Sequence, residues 1–326
     1  MSFLRQIFFT ASLPVCNRRL ISSLIEPTKP SKIFRADGPG APDIYSFFEK
    51  QTSSWQHLLV DPKTSESVII DPVLDYNPAS GTVSMETADG LLDFAEQQGL
   101  KISRVLETHA HADHLSASQY YKKTLGNISV CIGHRITQVQ SYFAPRYGFG
   151  PKDMEKAFDQ YLKDDEEFTF GSISGKVVHL PGHTPDHIGY IVGRNVFVGD
   201  SLFMPDLGSA RVDFPGGNAK DLFNSITRLL SLPDDYRIFV GHDYPSNREE
   251  DCIATVGNHK ELNKHCKVGT TEQQFIEFRE ARDNVLGAPR LLHPSLQVNI
   301  RAGRLPPVDG AGRILMKIPV RIANQK

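Results

Sequence analysis

Apolar residues first gather in short unbroken runs. "WQHLLVDP" and "ESVIIDPV" flank a turn-like "KTSE", and each closes on Asp-Pro. They predict paired strands. The period then lengthens. "METADGLLDFAEQQGL" carries apolar residues at helical spacing and reaches Gly99, a C-cap, so it predicts a helix. "ISRVLETH" predicts a strand delivering His109 at its end, followed by a helix through "LSASQYYKKTLG", with Asp113 and His114 opening it. "ISVCIGH" reads as a strand and "RITQVQSYF" as a helix. Beyond residue 165 the runs "EEFTF", "GKVVHLPGH", "IGYIVG" and "NVFVGD" are strand-like, with a hairpin turn at Gly193–Asn195. "NAKDLFNSITRLLSL" is amphipathic and capped by Asn218. "YRIFVGHDY" reads as a last core strand and "TEQQFIEFREARDNVL" as a further helix. The tail from Leu291 reads as irregular, then strand-like. Helices and strands mix in both halves, so the fold class is α/β.

Composition narrows the function classes. The chain has 326 residues, 36 basic against 38 acidic, and a net charge of −2. That balance offers no basic surface for nucleic acid or anionic membrane. No apolar run approaches the roughly 20 residues that span a bilayer. Cys16, Cys131, Cys252 and Cys266 lie far apart and form no Cys-x-x-Cys pair. Neither a disulfide framework nor a zinc knuckle is indicated, and a reducing compartment fits. The N-terminus, "MSFLRQIFFTASLPVCNRRLISSLIE", holds Arg5, Arg18 and Arg19 and no acid before Glu26. It reads as a mitochondrial transit peptide. "EPTKPSKIFRADGPGAPD" reads as the linker that follows it. The expected division is 1–40 for transit peptide and linker, 41–290 for a catalytic domain, and 291–326 for a C-terminal extension.

The chemistry centres on "ETHAHADHLSAS". His109, His111, Asp113 and His114 fall within six positions of a chain with only 12 histidines. A buried stretch cannot readily satisfy so many polar rings, and a metal explains them. The remaining ligands are expected at other strand ends: His183 after "VVHLP", Asp200 after "VFVG" and His242 after "IFVG". Single histidines such as His57, His134, His179, His259, His265 and His293 read as structural or surface groups. His187, four residues beyond His183, is the strongest additional candidate.

"THAHADH", "PGHTPDH", "VGDSLF" and "VGHDY" together resemble the ordered signature of the metallo-β-lactamase superfamily, over roughly residues 45–290. The resemblance implies an αββα sandwich of two mixed sheets with outer helices and a metal at one edge. It implies one metal position from His109, His111 and His183, and a second from Asp113, His114 and His242, with Asp200 bridging. No cysteine stands near a motif, unlike in many true β-lactamases. Ala110 stands where glyoxalase II enzymes usually carry a histidine. "SLFMPDLGSARVDFPGG" and "HDY" are similar to stretches of the persulfide dioxygenases, also called sulfur dioxygenases. "REARDNVLGAPRLLHPSLQVNIRAGRLPP" resembles the C-terminal part of the β-lactamase-hydrolase-like proteins. Ala210 and Asp186 depart from the glycines found there in some members.

That branch implies one Fe(II) per chain on His109, His183 and Asp200, a facial triad with open positions. His111, Asp113, His114 and His242 would then orient ligands and handle protons. Arg211 is expected to pair with a glutathione carboxylate, against a structural ion pair with Asp213. Tyr244 is expected to touch substrate or a ligand. The reaction implied is oxidation of glutathione persulfide by O2 and water to sulfite and glutathione, in the mitochondrial matrix, with the cytoplasm as the alternative site. No nucleic acid or membrane is expected as a partner, and a homodimer is left open. The alternatives are a two-zinc thioester hydrolase of glyoxalase II type and, from another class, a non-catalytic binding protein that kept the fold.

Overall fold

The computed structural model describes residues 28–320 and residue 322. The stretch read as a transit peptide lies outside them. The long apolar runs become strands covered on both faces. In β3 (Ser54–Val60), Trp55 and Leu59 enter one core while Leu58 and Val60 enter another. In β4 (Glu66–Ile70), Val68 and Ile70 divide from Ile69 in the same way. Side chains alternate faces along a strand, so a run with no polar alternation must be buried twice. Each fully buried aliphatic side chain contributes about 1.5–3 kcal/mol.

Two mixed sheets result, here numbered in chain order. The first runs β1 (Lys32–Phe34), β2 (Asp43–Glu49), β3, β4, β7 (Lys101–Leu106), β9 (Ser129–Gly133) and β10 (Gln160–Leu162). The second runs β11 (Glu167–Phe170), β12 (Ile173–His179), β13 (Ile188–Val192), β14 (Asn195–Phe197), β15 (Arg237–Phe239) and β16 (Ile253–Thr255). A small sheet joins β6 (Thr82–Ser84), β5 (Val73–Asn77) and β8 (Leu115–Ser116). Leu59, Val68 and Leu106 of the first sheet share a core with Val177, Tyr190 and Val196 of the second. Outside the first sheet lie α1 (Glu86–Gln97), α2 (Ser118–Leu125), α3 (Ile136–Phe143) and α8 (Leu292–Asn299), which share the other core. A single-turn α4 (Pro151–Met154) precedes β10. Beside the second sheet lie α5 (Ala219–Leu230), α6 (Val256–Leu262) and α7 (Glu272–Asp283). This is the expected α/β sandwich.

The predicted caps hold. Asn218 Oδ1 accepts from Asp221 N at 3.0 Å at the start of α5. Gly99 ends α1 at φ +67, a backbone state that favours glycine. Three expectations change. Asp113 and His114 do not open a helix: β8 follows them, paired with β5, and α2 starts only at Ser118. β1 lies inside the stretch read as a linker, because its backbone pairs with β2 in the register Lys32↔Ser46. The supposedly irregular tail forms α8, whose Leu296 and Val298 are buried, and among the described residues the strand-like stretch after it makes only an isolated bridge between Val308 and Ile314. Long-range pairing and burial decided all three.

Candidate metal centre

Each candidate ligand sits just past a strand end on the same edge of the sandwich. β7 stops at Leu106 before His109, β12 at His179 before His183, β14 at Phe197 before Asp200, and β15 at Phe239 before His242. His109 Nε2 lies 3.9 Å and His183 Nε2 3.7 Å from Asp200 Oδ2. Those gaps are too long for hydrogen bonds. They suit atoms sharing an ion whose bonds to nitrogen and oxygen are about 2.0–2.2 Å.

The surroundings fix which nitrogen of each ring is free. Thr108 Oγ1 donates to Asp71 Oδ2 at 2.8 Å, so it accepts the Nδ1–H of His109 at 2.9 Å. His183 Nδ1 donates to the Arg211 carbonyl at 2.7 Å, and His242 Nδ1 to the Ser53 carbonyl at 3.1 Å. In His109 and His183 the Nε2 lone pair is left for a ligand's task. His109 Nε2, His114 Nε2 and Asp200 Oδ1 are buried without a hydrogen-bond partner. Such orphans are rare in a folded interior; a cation held by His109, His183 and Asp200 would satisfy the first and the last, whereas His114 groups with His111 and Asp113. The donor set therefore fits a metal. Burial, reinforced by His111, His187 and His183, holds His109 well below the usual imidazole range, the neutral state that binding requires.

A second group shares Asp200. His242 Nε2 lies 3.0 Å from Asp113 Oδ2 and 3.4 Å from Asp200 Oδ1. Burial pushes His242 down, but Asp200 and Asp113 raise it to about 9. Burial pushes the Asp113 carboxyl up, yet His242 and His114 hold it well below the carboxylate range. His114 Nδ1 lies 3.2 Å from Asp113 Oδ2.

His111 stands between two clusters. Its Nε2 lies 3.0 Å from Asp71 Oδ1 and 3.4 Å from Glu107 Oε2, and its Nδ1 is buried without a partner. Its Nε2 thus faces the acids beneath the site, and the ring also groups with Asp113 and His114 as possible metal ligands. His187 is not a ligand: its Nε2 accepts Asp200 N at 3.1 Å, and its ring stacks on His109 at 4.6 Å. Asp186, the departure noted above, accepts Ala110 N at 3.0 Å and so fixes the backbone between His109 and His111.

A cleft of about 520 Å³ opens onto His183, Asp200 and Asp113. Arg211 lines it, but the expected carboxylate fork is already filled. Its Nε and Nη2 each reach Asp213 at 2.5 Å, and Nη1 reaches the Gly287 carbonyl at 2.9 Å. The ion pair wins because Asp213 is two residues away and pays little entropy to meet it. Tyr244 also lines the cleft, 49% exposed, its ring parallel to His242 at 5.8 Å. Below, buried Arg279 bridges the Ser209 carbonyl and Asp283, while Asp283 takes Val212 N at 2.8 Å. α7 thus holds the strap that supports His183.

Sequence reasoning missed Asp71, Glu107 and the rim cations Arg282 and Arg290. The Asp-Pro closing a strand was the available signal for Asp71. Nothing local marked Arg282 or Arg290, which no carboxylate pairs among the described residues.

Residues 54–242 match the metallo-beta-lactamase superfamily. The chain is 42% identical over 86% of its length to a beta-lactamase hydrolase-like protein of Agrobacterium fabrum, and spans 65% of that relative. It is 40% identical to Glyoxylase B2 of Dictyostelium discoideum, covering 86% of this chain and 98% of that one. It is 27% identical to the mitochondrial persulfide dioxygenase ETHE1 of Homo sapiens, covering 82% and 91%. The crystal structure of ETHE1 from Myxococcus xanthus superposes with TM-score 0.65 at 27% identity, over 80% of this chain and 99% of that one. No helix among the described residues is long and apolar enough to cross a membrane.

Proposed function

The chain belongs to the metallo-beta-lactamase superfamily, and within it we propose a mitochondrial non-haem Fe(II) persulfide dioxygenase acting on glutathione persulfide. The observation that carries this reading is the contrast in spacing around Asp200. His109 and His183 stand back from it at 3.9 and 3.7 Å, whereas His242 closes on Asp113 at 3.0 Å. The first position holds its rings back from the acid, and in the second the ring and the acid stand at hydrogen-bond distance. Two histidines and one carboxylate on one face are the donor set of the Fe(II) oxygenases. Ferrous iron held there supplies redox chemistry with O2, which zinc lacks. The likeness to persulfide dioxygenases supports the same branch.

The net reaction converts a persulfide, O2 and water into thiol and sulfite with release of two protons. The outer sulfur is oxidised, O2 is reduced, and water supplies the third sulfite oxygen. His109, His183 and Asp200 would hold the metal. The His242–Asp113 pair keeps a proton donor and acceptor at the cleft floor. Arg282 and Arg290 at the rim take the carboxylate-binding task that Arg211 cannot. Tyr244 forms one wall against the substrate.

A second reading has its own support: a two-zinc thioester hydrolase, favoured by the 40% identity to Glyoxylase B2 and by the grouping of Asp113, Asp200 and His242. Metal analysis of anaerobically purified protein, with persulfide-dependent oxygen uptake, decides between them. About one iron per chain is expected. Two zincs with thioesterase turnover and no oxygen uptake would replace the dioxygenase reading.

A further inference from the structure

The loop carrying His109, His111, Asp113 and His114 is buried and irregular. Buried backbone groups outside helices and sheets still need partners. For this loop the partner comes from α8, far along the chain. Asn299 Nδ2 donates to the His111 carbonyl at 2.8 Å and to the His114 carbonyl at 2.7 Å. Its Oδ1 accepts Ser116 N at 2.8 Å. One amide therefore uses both donors and its acceptor on the stretch that holds four candidate ligands. Gly303, just past α8, presses on the same place: a Cβ there would lie 2.6 Å from the Ser116 carbonyl.

We propose that Asn299 is a positioning residue for the metal site, holding the histidine loop in its binding conformation before metal arrives. Asn299 touches neither the cleft nor any ligand side chain, so it acts only through the backbone of His111, His114 and Ser116. The inference rests on the metal reading above. It makes α8, which lies beyond the matched residues 54–242, part of the site's frame.

The same helix provides an internal control. Gln297 is likewise buried and its amide is likewise fully bonded, but to the tail and its own helix: Nε2 donates to the Lys317 carbonyl at 2.7 Å and to the His293 carbonyl at 2.8 Å, and Oε1 accepts Lys317 N at 2.7 Å. Asn299→Ala and Gln297→Ala should therefore lower the apo-protein melting temperature alike. Only Asn299→Ala should weaken Fe(II) binding in anaerobic chelator competition, by about 10–100-fold, the usual loss when an outer support of a site is removed. Asn299→Ser, a milder cut, should show the same loss in smaller measure and keeps the test alive if the alanine variant does not fold. Wild-type Fe(II) affinity in the Asn299 variants would overturn the proposal, as would an equal loss in Gln297→Ala. Failure of the wild type itself to bind Fe(II) would remove the metal reading, and this inference with it.

Discussion

The two groups that share Asp200 differ in what holds them together. In the first, His109 and His183 are each fixed from behind, by Thr108 and by the Arg211 carbonyl, and their Nε2 atoms stand back from Asp200 at 3.9 and 3.7 Å. In the second, His242 is also fixed from behind, by Ser53, yet its Nε2 meets a carboxylate at hydrogen-bond distance. Identical residue types thus serve two different ends. The difference lies in how far each scaffold sets its ring from the acid, not in the ring itself.

The largest expected effect breaks the first group. Asp200→Asn or His183→Ala should abolish iron binding and oxygen uptake, because a facial triad has no spare ligand. His242→Ala should keep most of the iron and lower turnover by about 10–100-fold. Iron content and oxygen uptake on the three variants check this, and equal metal loss in all of them would erase the distinction between the groups. A metal exchange sharpens it further. Chelator-stripped protein reloaded with Fe(II) should regain oxygen uptake, while Zn(II) should bind and restore none.

At the cleft rim the effects are smaller. Arg282→Ala or Arg290→Ala should raise KM for glutathione persulfide by about 10-fold, the loss of one charge-assisted hydrogen bond, with kcat little changed. Arg211→Lys should leave KM alone and lower Tm by roughly 2–4 °C, since its fork is spent on Asp213. Steady-state kinetics beside thermal melts separate the two roles; a raised KM in Arg211→Lys alone would return it to the substrate.

The last effect concerns histidines that hold no metal. His57 donates to the Val240 carbonyl and packs on Phe197 and Phe239, and burial pushes it down to about 4; His259 is lowered likewise to about 4. Their folded pKa values lie below the unfolded value of 6.5, so the unfolded chain binds more protons between those limits. Stability is full above about pH 6.5 and should fall as pH drops toward 4, by up to about 1.4 kcal/mol per pH unit for each ring. Urea unfolding at pH 7 and pH 5 measures the slope. His57→Gln should flatten it, and an unchanged slope would mean that His57 is not a buried neutral ring.

The chain's own order settled the ligand types, because a motif crowded with histidines and three Gly-His or Gly-Asp strand ends have few other uses. It settled the two-faced strands too, since their runs of unbroken apolar residues can be buried only twice. What it left to the tertiary structure were distances and directions. Whether Arg211 reaches a substrate or Asp213 depends on a turn of one strap. Whether His111 faces the metal or Asp71 depends on a strand end that lies far upstream. The tail offered no apolar period strong enough to announce α8, yet Asn299 completes the hydrogen bonds of the histidine loop. Residue types are local and read directly, but a backbone carbonyl's partner is chosen by whatever the folded chain brings within about 3 Å of it.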